Sequence, residues 1–156
     1  MPGWRSPEAM RRSGPPVPVA AAIIVEAGRV LVTRRGPGRS MAGLWEFPGG
    51  KLEPRETPQA CIVRELAEEL AIEAEAGEVL AESVHVGAGG AIKLIAVAVR
   101  RLSGRLVLSE HDACLWATAD DLHALPLAPA DVPVAAAIGA MIDECAARLP
   151  PAKSAL

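Results

Sequence analysis

The chain opens its patterned region with two short apolar runs. Val17 to Val25 is rich in β-branched residues and alanine, Glu26-Ala27-Gly28 supplies turn chemistry, and Arg29 to Thr33 resumes the pattern, which predicts a hairpin. Gly36 to Ser40 is loop-forming. The short stretch Leu44 to Phe47 then leads into Pro48-Gly49-Gly50, where the backbone can make approaches closed to other residues. Runs at Val79 to Val86, Ile92 to Val99 and Leu106 to Leu108 predict further strands, and Ala113 to Ala117 a shorter one.

Helical signals occur at two places. Thr57 before Pro58 reads as an N-cap and first helical residue, and no breaker interrupts Gln59 to Ala71. At helical spacing Glu65, Glu68 and Glu69 group on one side, and Val63, Leu66, Ala67 and Leu70 on the other. Carboxylates are therefore expected on one face and core residues opposite. Asp131 reads as the cap of a terminal helix from about Val132 to Arg148, with Pro133 in its first turn and Pro150-Pro151 beyond its end. Periodicity alone supports α/β or α+β.

Composition narrows what such a chain could do. With 156 residues and about half of them apolar, one domain is expected. Residues 1–16 are rich in Pro, Gly, Ser and Arg and read as a flexible leader, 17–149 as the folded unit, and 150–156 as a tail. The leader lacks an apolar core and no run approaches the roughly 18 residues of a membrane span, so a cytoplasmic protein without a membrane partner is expected. A net charge of −3 argues against gripping a polynucleotide backbone, and Phe47, Trp4, Trp45 and Trp116 are too few for repeated base stacking. Cys61, Cys114 and Cys145 form no zinc or disulfide pattern and read as buried thiols. His85, His111 and His123 show no ligand spacing and read as structural or surface residues.

The acidic helix carries the candidate chemistry. Like charges at helical spacing repel by a few tenths of a kcal/mol per pair, so three glutamates in one turn need solvent or a cation. Taken alone, solvent suffices. The preceding loop changes this: Gly50 is followed after five residues by Glu56, and after seven more by Arg64-Glu65-Leu66-Ala67-Glu68-Glu69.

That spacing resembles the Nudix box, which Gly50 through Ile72 follows at all but one position. The departure is Ala71, where the family has a glycine that ends the helix in a left-handed conformation. An alanine there costs about 1 kcal/mol or lets the helix run on. The resemblance implies a Nudix α/β/α sandwich with a mixed sheet between helices, and a Mg²⁺ or Mn²⁺ cofactor shared with substrate phosphates. It further implies Glu65 and Glu69 as principal metal ligands, Glu68 as an additional or water-mediated one, and the Gly49 carbonyl as a backbone ligand. Arg64 would hold a carboxylate in place, Glu56 would support it through a salt bridge, and Glu65 would act as base. Glu110, in Leu108-Ser109-Glu110-His111-Asp112, is the second candidate for metal contact and base.

Outside the box, Thr33-Arg34-Arg35 and Gly43 through Gly50 resemble the MutT-like nucleoside triphosphate pyrophosphohydrolases. This implies a small nucleotide partner touched by Arg35, Glu46, Phe47, Pro48, Gly49 and Gly50, with hydrolysis to a monophosphate and pyrophosphate. Leu125 through Pro133 is similar to the corresponding stretch of bacterial enzymes acting on pyrimidine triphosphates. Asp131 stands where 8-oxoguanine-specific members have asparagine. An asparagine donates and accepts, as a guanine edge requires, whereas an ionised aspartate only accepts, which suits the cytosine amino group. Asp131 as a helix cap and nothing more stays open. So do an 8-oxo-dGTP substrate, ADP-ribose or a dinucleoside polyphosphate, a noncatalytic nucleotide-sensing module, and either a monomer or a homodimer.

Overall fold

The computed structural model describes residues 14–145 and 148–149. Most of the expected leader, the tail and the 146–147 part of the expected terminal helix lie outside the described residues.

Strand β1 (Val17–Glu26) is the spine of the molecule. Ala20 through Ile24 are all buried, as expected for a strand covered on both faces. One edge of β1 runs parallel to β6 (Gly90–Ser103), from Val17 opposite Ile92 to Ile24 opposite Val99. The other edge is shared between β2 (Arg29–Arg35), across the Ala27-Gly28 turn, and β4 (Gly49–Lys51). Beyond the hairpin, β2 is flanked by β3 (Trp45–Glu46) and β7 (His111–Ala117), both antiparallel. The edge strand β5 (Glu73–Gly87) pairs antiparallel with β6 and completes a seven-stranded mixed sheet.

Alternating side chains of β1 feed two separate cores. Ala20, Ala22 and Ile24 meet Cys61, Ile62, Leu66 and Leu70 of helix α1 (Pro58–Leu70). Ala21 and Ile23 meet Leu122, Val134, Ala135 and Ile138, which belong to α2 (Ala119–Ala124) and α3 (Asp131–Ala140), and this layer continues into α4 (Ile142–Cys145). Each large apolar side chain buried in this way contributes about 1.5–3 kcal/mol. The result is the three-layer sandwich expected from the box.

Several local expectations are corrected. Leu106 to Leu108 is not a strand. Val107 N–H instead donates to the Leu70 carbonyl (3.0 Å) and Ser109 Oγ to the Glu69 carbonyl (3.1 Å), so this segment satisfies the open end of α1. Strand β5 begins at Glu73, ahead of the Val79 expected. The buried stripe of α1 is Cys61, Ile62, Leu66 and Leu70, while Val63 and Ala67 are exposed. Glu65 and Glu69 therefore border the buried stripe and do not oppose it. Cys114 is exposed, unlike Cys61 and Cys145. Helix α2 was not expected, although Thr118 and Asp121 form a capping box legible at the right spacing. The terminal helix stops at Ala140, where Met141 leaves helical conformation before α4.

Candidate active site

The site begins where two glycines meet helix α1. Ala22 N–H donates to the Pro48 carbonyl (2.7 Å) and Leu52 N–H to the Pro18 carbonyl (3.1 Å), pinning the buried Pro48 and strand β4 against β1. A Cβ on Gly49 would run into the Ala20 carbonyl oxygen, and one on Gly50 would occupy the position of the Glu65 carboxylate. Both positions need glycine because backbone and carboxylate approach within side-chain distance there. Thr57 Oγ1 accepts from Ala60 N–H (3.1 Å) and starts the helix at the expected residue.

Arg64 organises the acidic helix. Its Nε donates to Glu56 Oε2 (2.9 Å) and its Nη2 to Glu56 Oε1 (2.8 Å), a two-point fork. Nη1 donates to Glu65 Oε1 (2.8 Å) and reaches Glu68 Oε2 at 3.4 Å. Hydrogen bonds from Arg64, with a further one from Glu53 N–H, hold the Glu56 carboxyl down at about 2. Arg64 itself is raised by these same partners. The pairing expected of Arg64 and Glu56 is present, and it fixes one oxygen of Glu65.

Glu69 is the opposite case. Its Oε2 is buried without a hydrogen-bond partner among the described residues. Burial, then the charges of Glu65, Glu110 and Glu46, push its carboxyl up to about 8, and Glu65 lies close enough to hydrogen-bond its protonated form. An orphaned buried oxygen among like charges is the environment that a cation would relieve, and an all-oxygen donor set fits a hard divalent ion. Glu68 is largely exposed and turned onto Arg64. Glu110 sits in the cavity wall but is paired with Arg39 at 3.0 Å. Among the described residues no three acidic, His or Cys side chains already converge as a cage.

Glu69, Gly49, Gly50, Lys51 and Glu110 share a cavity of about 440 Å³ with Arg35, Glu46, Phe47, His111 and Asp131. Arg35 Nε donates to Glu46 Oε2 (3.0 Å), and His111 Nε2 meets Glu46 Oε1 at 3.2 Å. Burial opposes the charge on Glu46, but hydrogen bonding from His111 and the Arg35 charge outweigh it and keep its carboxyl below the usual value. Phe47 belongs both to the core and to the cavity wall.

Asp131 reaches the cavity through Leu125 to Pro133. Trp45 N–H donates to the Pro126 carbonyl (2.9 Å) and Ala128 N–H to the Trp45 carbonyl (2.8 Å), fastening this segment to β3. The capping expectation is corrected: Ala130 occupies the N-cap position, and the Asp131 carboxylate accepts from Phe47 N–H (3.1 Å). Asp131 is buried, and burial pushes its carboxyl up to about 7. A larger groove of about 720 Å³ lies between the start of α1 and strands β5 and β6, lined by Gln59, Val63, Glu75 and Arg100 among others, and contains none of the box glutamates. His111 had no signal in the sequence, because its role appears only when β7 is laid beside β2.

Residues 14–138 match the NUDIX domain family. The chain belongs to that family. This Nudix hydrolase, an enzyme acting on phosphoric anhydride bonds, is 42% identical over 125 residues to the CTP pyrophosphohydrolase of Escherichia coli K12, covering 80% of this chain and 93% of that one. It is 49% identical over 47 residues to the 8-oxo-dGTP diphosphatase of the same organism, covering 30% of this chain and 36% of the other. The solution structure of the E. coli ORF135 protein superposes with a TM-score of 0.70 at 41% identity, covering 80% of this chain and 89% of that one. Among the described residues no helix is long and apolar enough to cross a membrane.

Proposed function

We propose that this Nudix hydrolase cleaves a nucleoside triphosphate to the monophosphate and pyrophosphate with a divalent cation, and that a pyrimidine base faces Asp131. One observation carries the reading: a single cavity holds Glu69 of the box helix, crowded by the charges of Glu65, Glu110 and Glu46, together with a buried aspartate fixed by Phe47 N–H. The first is suited to a cation and a polyphosphate, the second to one base edge. The likeness to a CTP pyrophosphohydrolase over most of both chains supports the same choice.

Glu65, Glu69 and the Gly49 carbonyl would hold Mg²⁺, with Glu68 and Glu110 at its margin. When bound, such an ion supplies Lewis-acid polarisation of a phosphoryl oxygen and lowers the pKa of an attacking water. Arg64 keeps Glu65 Oε1 engaged, leaving Oε2 as the oxygen that would face the cation and the attacking water, as ligand or as base. Arg35 directs its Nη2 to the phosphates, and Phe47 walls the base. At the base edge, one Asp131 oxygen is spent on Phe47 N–H and the other serves the nucleotide.

Nucleoside monophosphate formation with and without Mg²⁺, measured over CTP, dCTP, 5-methyl-dCTP, 8-oxo-dGTP and ADP-ribose together with pyrophosphate release from the triphosphates, tests the proposal. Cation-dependent release that is fastest with the cytosine nucleotides supports it. Cation-independent release, or cleavage of ADP-ribose alone, refutes it. The raised pKa of Asp131 favours 8-oxo-dGTP as a second substrate, since a protonated carboxyl donates and accepts as asparagine does.

A further inference from the structure

Strand β2 carries Arg35 between two neighbours that hydrogen-bond to each other. On one edge β3 places Glu46 opposite Thr33, and on the other β7 places His111 opposite Arg35, with a register shift between Arg34 and Arg35. A bulge of this kind re-aims the side chain beside it. Here it brings three side chains into line: His111 Nε2 to Glu46 Oε1 at 3.2 Å, and Glu46 Oε2 to Arg35 Nε at 3.0 Å. Arg35 Nη1 is held by both Ser40 O and Ser40 Oγ at 3.1 Å. Among the described residues Nη2 alone of the guanidinium nitrogens has no hydrogen-bond partner, and Arg35, Ser40, Glu46 and His111 all line the cavity.

We infer that His111 is a positioning residue of the substrate site, acting through Glu46 to fix the direction in which Arg35 presents its free nitrogen to the nucleotide phosphates. The inference rests on the reading of Arg35 as a phosphate contact. Burial gives the link its strength: the His111 side chain is 5% exposed and that of Glu46 17%, so water competes poorly for the bond. The other ring nitrogen, Nδ1, is buried with no partner among the described residues to receive a proton, so in the neutral ring the proton belongs on Nε2, where Glu46 accepts it. Without His111, Glu46 keeps its bond to Arg35 but loses its own second anchor. The guanidinium then becomes a tether of variable direction, and its Nη2 no longer arrives pre-aligned.

The test is a split between KM and kcat, made on the full chain with CTP and Mg²⁺. His111→Leu removes the donor, and His111→Asn carries one too short to reach Glu46. Each is expected to raise KM about tenfold, the cost of one charge-assisted hydrogen bond, with kcat within about twofold. His111→Gln, whose amide nitrogen falls near the position of Nε2, restores KM. Arg35→Ala raises KM by at least as much, and adding His111→Leu to it has no further effect. If His111→Leu fails to fold, as judged by its thermal midpoint, the Asn and Gln variants decide alone. An unchanged KM in Arg35→Ala overturns the phosphate-contact reading on which the inference stands. A raised KM there with no change in the His111 variants, no rescue by Gln, or multiplying effects in the double variant overturns the role of His111 itself.

Discussion

Arg64 and Glu56 face each other across eight residues of chain as a two-point ion pair, Nε to Oε2 at 2.9 Å and Nη2 to Oε1 at 2.8 Å. The same guanidinium spends its third nitrogen on Glu65, so the fork converts the loop before α1 into a rigid support for a site carboxylate. A lysine keeps the charge but offers a point in place of a plane, and it cannot hold Glu56 and Glu65 together. Arg64→Lys is expected to lower kcat/KM by about 10- to 100-fold, the usual range for a residue that orients a metal-binding side chain. Steady-state kinetics on a variant with wild-type circular dichroism checks this, and activity within twofold would show that the fork is dispensable.

Glu69 makes the metal-free protein sensitive to pH. Its folded pKa of about 8 lies above the ordinary 4.5, so the folded state holds a proton that the unfolded state gives up. The stability tied to this proton is full below about pH 4.5 and is lost as pH rises through about 8. Glu69→Gln removes that loss. In EDTA the variant is expected to melt higher than wild type at about pH 8 and level with it near pH 4, while Mg²⁺ stabilises wild type and leaves the variant unmoved. A difference in melting temperature that does not vary with pH would contradict the crowding of Glu69 described above.

Ala71 ends α1 in the left-handed region, at φ 57° and ψ 34°, without the glycine that usually stands there. The stop is enforced from outside, since Gly104 packs on the Ala71 carbonyl and Val107 N–H closes the Leu70 carbonyl. Ala71→Gly should relieve the left-handed penalty, raising stability by about 1 kcal/mol and the thermal midpoint by about 2–4 °C. Calorimetry measures this directly, and a fall in midpoint would mean that Ala71 is not strained.

What could be read in advance was what lies close in the chain. The spacing from Gly50 to Glu69, the cap at Thr57 and the hairpin around Gly28 are all decided within a few residues, and the structure has each of them. Leu106 to Leu108 has the pattern of a strand but is not one, because alternation reports which side chains turn inward and not what the backbone pairs with, here the end of a helix. The site role of His111 and the choice between cap and ligand for Asp131 are invisible in the sequence for one common reason. The His111–Glu46 contact spans 65 residues of chain and the Asp131–Phe47 contact 84, and neither can be inferred before strand register is known. Helical periodicity points Val63 and Ala67 inward because they are apolar, whereas the sheet approaches from the side of Glu65 and Glu69.

Asp131 gives base selection its own pH dependence. Its carboxyl titrates near 7 because it is buried, with one oxygen already accepting from Phe47 N–H. Below that value the protonated group can both donate and accept, which a guanine edge can use. Above it the ionised group only accepts, which favours the amino group of cytosine and leaves a guanine carbonyl facing an acceptor. The ratio of kcat/KM for CTP to that for 8-oxo-dGTP is therefore expected to rise by about tenfold from well below to well above neutrality, the size of one hydrogen bond gained or lost. Asp131→Asn, which cannot titrate, should hold the ratio flat and low across the same range. A ratio that rises equally in the asparagine variant would place the titrating group elsewhere and remove Asp131 from base recognition.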